Sequence, residues 1–219
     1  MKKILNRAAV SFIAMIILCA AFLFACQSVE NPFTPGSKTY EKGVLTETSF
    51  ESEYLDLRFT APDGYIMATQ EDMDELIDFG GETTYVDGNK LNLDYAKAAT
   101  VYEMMVSAPV GYPNVFVLVE KLLLSNMSVD QYLDSLKDQL LNVDSLDYMI
   151  SDERVSVKVA GENYTQLSTV IHYPNMPGLE VIQNYLVRKI DNRVLCFIVT
   201  YTANTKDKTD TLLTFFTKY

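Results

Sequence analysis

The stretch that decides the fold runs Leu179-Glu180-Val181-Ile182-Gln183-Asn184-Tyr185-Leu186-Val187-Arg188-Lys189-Ile190-Asp191-Asn192-Arg193-Val194-Leu195-Cys196-Phe197-Ile198-Val199-Thr200-Tyr201. Two runs rich in β-branched and aromatic residues flank Asp191-Asn192, a pair that tolerates positive φ. That pattern predicts a hairpin. The second run, 194–201, is apolar on both faces, so it is expected to lie centrally with cover on both sides.

The reading extends outward in both directions. Residues 114–122 carry Val115, Val117 and Val119 on one face and Phe116 and Leu118 on the other, a second central strand. With 101–107 it forms a hairpin around 108–113. Val155, Val157 and Val159 alternate with Arg154, Ser156 and Lys158, and Ala160-Gly161-Glu162 turns into a strand over 164–173. Residues 53–60 alternate through Leu55, Leu57 and Phe59 and end at the turn Pro62-Asp63-Gly64.

Helices fill the gaps. Ser128 and Gln131 make a capping box for a helix over 129–143, with Val129, Tyr132, Leu133, Leu136, Leu140 and Val143 on one stripe. Thr69 and Asp72 cap a shorter one that buries Met73, Leu76 and Ile77. A last helix is expected after Thr205, burying Leu212, Leu213 and Phe216. Residues 81–94, polar and glycine-bearing, are expected as a loop. Consecutive hairpins predict an α+β domain with a central antiparallel sheet of about six strands flanked by helices.

The N-terminus follows another grammar. Lys2, Lys3 and Arg7 precede residues 8–25, which carry no charge and end at Leu23-Phe24-Ala25-Cys26. A positive region, an apolar core and a small final residue make a secretory signal. The ending resembles the bacterial lipobox, which implies removal of residues 1–25 and a lipid on Cys26. Acyl chains such as palmitate contribute about 0.8 kcal/mol per buried CH₂. The competing reading is an uncleaved membrane helix, because the apolar stretch reaches the lower limit of a span. Residues 26–49, with Pro32, Pro35 and Gly36 and no period, read as the lipidated cysteine and a flexible tether. Residues 50–219 read as the globular domain. The expected location is the extracytoplasmic face of the cell membrane.

The order of pieces resembles the PsbP/Mog1-like domain, especially lipoproteins of clostridia-like bacteria that carry one. The residues concerned are Tyr54-Leu55-Asp56-Leu57-Arg58-Phe59-Thr60-Ala61-Pro62-Asp63-Gly64-Tyr65, Ser128-Val129-Asp130-Gln131-Tyr132, Val155-Ser156-Val157-Lys158-Val159-Ala160-Gly161-Glu162-Asn163-Tyr164 and Gln183-Asn184-Tyr185-Leu186-Val187-Arg188. The resemblance implies an α/β/α sandwich. It implies no particular partner, since one fold hosts many functions.

Charge and motifs narrow the function classes. The net charge is −11, and losing a leader with three positive charges and no negative one takes it to −14. Such a surface repels phosphate backbones, so no nucleic-acid partner is expected. His172 is the single histidine, which excludes a multi-histidine metal site within one chain. No Ser-x-x-Lys, Gly-x-Ser-x-Gly, phosphate-loop or dinucleotide pattern occurs. The acidic groups Glu71, Asp72, Asp74, Glu75, Asp78 and Asp144, Asp147, Asp152, Glu153 read as solvated faces. Cys196, in a strand apolar on both faces, reads as a buried thiol.

No catalytic, cofactor-binding or metal residues are expected, and no cofactor. The partners expected are the membrane, through the N-terminal lipid, and a protein or cell-envelope component. The function expected is a non-enzymatic binding or accessory domain. A small-molecule-binding envelope component or a carboxylate-based glycan hydrolase stand as the alternatives.

Overall fold

The computed structural model describes residues 39–86, 89–90, 97–122, 124–144, 146–174, 176 and 178–219. Signal, lipobox and Cys26 lie outside the described residues. The main sheet is antiparallel and has eight strands rather than about six. Its order is β10 (Val155–Val159), β11 (Glu162–His172), β12 (Glu180–Ile190), β13 (Arg193–Tyr201), β8 (Asn114–Lys121), β7 (Thr100–Ser107) and β4 (Ile66–Met67), with β9 (Asp147–Ile150) also on β11. The deciding hairpin pairs Ile182 with Tyr201 at one end and Ile190 with Arg193 at the other. Asp191 takes the left-handed conformation at its turn, with φ 52°.

Each central strand feeds two cores. Val194, Cys196 and Ile198 of β13 point to one face, with Phe116 and Leu118 of β8. Leu195, Phe197 and Val199 point to the other, with Val115, Val117 and Val119. The first face is covered by helices α1 (Gln70–Thr83) and α2 (Val129–Leu141), which bury Met73, Leu76 and Ile77, and Tyr132, Leu133, Leu136 and Leu140. Both helices start with a complete capping box, Thr69 with Asp72 and Ser128 with Gln131. Replacing Ser128 by Ala is expected to cost about 1 kcal/mol, read from the urea midpoint.

The second face departs from the expected sandwich. A four-stranded sheet covers it together with helix α3 (Lys206–Leu213). The order of that sheet is β1 (Val44–Leu45), β2 (Ser49–Ser52), β3 (Leu57–Thr60) and β14 (Phe216–Thr217). Phe50 and Phe216 both pair with Phe59. Three corrections of extent follow. Residues 53–56 form a turn rather than strand, with Asp56 at φ 52°. Residue 83 still belongs to α1, and β5 (Tyr85–Val86) pairs with β6 (Asn89–Lys90), inside the stretch expected as a loop. Residues 44–45 and 49, placed in the tether by the sequence reading, belong to the small sheet.

Candidate functional site

The two ends of the strands carry different chemistry. At one end the N-terminal segment is clasped to the sheet. β7 bulges between Tyr102 and Met104, which leaves Glu103 as the extra residue. A bulge re-aims a side chain, and here it meets the N-terminal segment. Glu103 is 0% exposed. Its carboxylate accepts the Tyr40 hydroxyl at 2.6 Å and the Gly43 N–H at 3.0 Å. Burial pushes the Glu103 carboxyl up, against the lowering effect of those two donors. Burial and the neighbouring carboxylate also push the Tyr40 hydroxyl up.

The Tyr40 ring is held as well. It meets Tyr54 edge-on at 5.1 Å, and the Arg193 guanidinium lies 4.4 Å over it. Gly43 must be glycine because a Cβ there would stand 2.4 Å from the Phe50 ring and 2.8 Å from the Glu51 carbonyl. Tyr40→Phe removes one charge-assisted hydrogen bond. It is expected to cost about 1.5–2 kcal/mol, with faster hydrogen exchange at Gly43.

At the opposite end lies an open cleft of about 510 Å³. Three pieces build its walls: the turn 62–65, Ala108 and Pro109 after β7, and Asp207, Lys208, Thr211, Leu212 and Phe215 from α3 and the residues after it. Its lining is mainly apolar. Phe215 is 39% exposed, and Val110, next in the chain to the lining residue Pro109, is 79% exposed. An open cleft lined mainly by apolar side chains is the kind of surface that a partner covers. Asp63 and Asp207 are exposed, and neither carboxylate forms a salt bridge or a hydrogen bond among the described residues, Asp207 accepting the Thr211 hydroxyl only through its backbone carbonyl.

Toward the clasp end of the strands, the helix-side core holds a second buried carboxylate. Glu120 of β8 is buried and accepts the Tyr132 hydroxyl at 2.9 Å. Thr100 stands opposite it in the register, and its buried hydroxyl makes no hydrogen bond among the described residues. Burial pushes the Glu120 carboxyl up to about 8. Cys196 is a fully buried free thiol, pushed up by burial and by Glu120. A polar row also crosses this face. Thr169 donates to the Gln183 carbonyl at 3.0 Å, and Gln183 Nε2 to Thr200 Oγ1 at 3.1 Å. The Tyr185 hydroxyl donates to Gln183 Oε1 at 2.5 Å. These groups satisfy one another, as buried polar groups must.

The residues singled out from sequence do not converge. His172 lies on β11, with Nε2 3.4 Å from Glu180 Oε1 across the β11–β12 pair. Among the described residues it hydrogen-bonds to no serine or cysteine. Asp72 serves the α1 cap, Asp74 accepts from Gln70, Asp78 pairs with Lys97, and Asp152 with Lys137. The Lys137 ammonium holds the Asp152 carboxyl below its ordinary value. Among the described residues no group of three or more His, Cys, Asp or Glu is arranged to hold a metal ion. No helix among them is long and apolar enough to cross a membrane. Sequence reading passed over Glu103 and Glu120, although a lone carboxylate inside an apolar strand was the available signal.

No family model matches this chain, and no curated protein matches it. Among solved structures, the chain is similar to the solution structure of cyanobacterial PsbP (CyanoP) from Synechocystis sp. PCC 6803. The identity is 12%, the match covers 85% of this chain and 100% of that one, and the TM-score is 0.47. At that score the likeness carries no argument about what this domain binds.

Proposed function

We propose that this chain is an extracytoplasmic lipoprotein, anchored in the cell membrane by acyl chains on Cys26, whose PsbP/Mog1-like domain is a non-enzymatic binding or accessory module. The observation that carries the binding reading is the open apolar cleft, with Phe215 exposed in its lining and Val110 exposed next in the chain to Pro109. An apolar surface of this kind gains free energy when a partner covers it. The charged leader, the apolar run and Leu23-Phe24-Ala25-Cys26 support the anchor.

Two linked measurements test the proposal in cells. Labelled palmitate is expected on the wild-type chain and not on Cys26→Ser, with the variant leaving the membrane fraction. A photocrosslinking residue at Val110 is expected to give a discrete adduct, and one at exposed Met149 on β9 is not. A Cys26→Ser chain that stays wholly in the membrane fraction defeats the anchor. Equal adducts at both positions defeat the cleft as the binding site.

A further inference from the structure

The clasp and the cleft occupy opposite ends of the same strands. β7 begins beside the clasp with Thr100 and Glu103 and ends at Ser107, leading into the Ala108–Pro109 wall of the cleft. β13 begins with Arg193 on the Tyr40 ring and ends at Tyr201, just before the segment that leads into α3. Eight residue steps along β13 correspond to about 27 Å. The first described residues, Tyr40 and Gly43 among them, therefore lie at one end, and the cleft opens at the other.

Charge narrows the occupant. Asp63 and Asp207 stand exposed in the cleft lining, with Lys208 the only cation among the lining residues described. The domain around them is strongly acidic, with a net charge of −11 for the whole chain. That field repels anionic lipid headgroups and draws cationic partners. The rings of Tyr65 and Phe215 supply the surface that a partner would bury.

We infer that the cleft docks a peptide segment of a cationic partner protein. An apolar side chain seats between Tyr65 and Phe215, and an adjacent Lys or Arg faces Asp63 or Asp207. This rests on the binding-module reading above. Apolar contact supplies most of the affinity, while the carboxylates set orientation and selectivity.

The chain contains no tryptophan, so a Trp-bearing peptide reports its own environment. The probes are two short peptides, Gly-Trp-Lys-Lys-Gly and Gly-Trp-Glu-Glu-Gly, added to the full lipidated chain in zwitterionic nanodiscs with empty discs subtracted. The lysine peptide is expected to shift to shorter emission wavelength on binding. The glutamate peptide is expected to bind at least about tenfold more weakly, a difference of about 1.4 kcal/mol. Added salt weakens the lysine peptide, Phe215→Asp abolishes its binding, and Asp63→Lys with Asp207→Lys reverses the preference.

Equal or tighter binding of the glutamate peptide overturns the cationic partner and leaves the cleft as a binding site. Binding that survives both Phe215→Asp and Val110→Asp overturns the location. No shift with either peptide at millimolar concentration overturns the proposal, while the Val110 adduct independently judges the binding reading.

Discussion

Stability is expected to fall as pH rises from about 5 to about 8.5, and Glu120→Gln is expected to flatten that fall. The folded-state value of Glu120 lies at about 8, above its ordinary 4.5. Between those values the folded chain binds more protons than the unfolded one. The contribution is thus fully present below about 4.5, declines as pH rises, and is lost through about 8. At about 1.4 kcal/mol per pH unit, the whole window corresponds to at most about 5 kcal/mol.

Gln keeps an acceptor for the Tyr132 hydroxyl and cannot ionise. At pH 8.5 the variant is expected to be about 3–5 kcal/mol more stable than the parent, and within about 1 kcal/mol at pH 5. Urea unfolding at four pH values measures both slopes. Glu103 shifts in the same direction, from burial, so the parent slope includes its share and the difference between the two curves isolates Glu120. Parallel curves for parent and variant would assign the slope elsewhere.

The two carboxylates show where sequence legibility stopped. Strands with their own apolar period were readable: 194–201, 114–121 and the α2 stripe appear where expected, within two residues at their ends. The short strands were not. Val44–Leu45 and Phe216–Thr217 of the small sheet and Ile66–Met67 of the main one are two-residue strands, too short for any period to exist. Their state is set by partners distant in sequence, as when Phe59 pairs with both Phe50 and Phe216. The alternation through 53–60 continued across a turn because Leu55 stays buried even though Asp56 leaves the strand region. Periodicity reports burial, not backbone conformation.

The cleft was illegible for a related reason. Pro62-Asp63-Gly64 and Ala108-Pro109 each read correctly as turn residues, and α3 as a helix. Their meeting depends on β4 closing against β7 and on α3 lying under β13. No local pattern encodes that. The clasp was closer to legible, since Glu103 interrupts an otherwise apolar strand and a buried carboxylate demands donors. Those donors, Tyr40 and Gly43, came from the stretch read as tether.

Phe197→Ala is expected to cost about 3–5 kcal/mol, the range for a large aromatic removed from a packed core. Phe197 is fully buried on β13. It meets Tyr164 edge-on at 5.2 Å and Phe216 edge-on at 5.0 Å, and Phe216 lies 4.4 Å from Phe59. This chain of rings ties the small sheet to the main one. The loss is therefore expected to be uneven. Phe216 and Thr217 have only the short pairing with β3 in their sheet, whereas Val194–Val199 are paired on both sides. Hydrogen exchange should rise first at 216–217 and last in β13. Phe215, next in the chain, lines the cleft, so weaker peptide binding should accompany the early exchange, with the clasp at Gly43 still protected. Uniform loss of protection along the domain would mean that the two sheets unfold as one unit and that Phe197 supports the cleft no more than it supports the clasp.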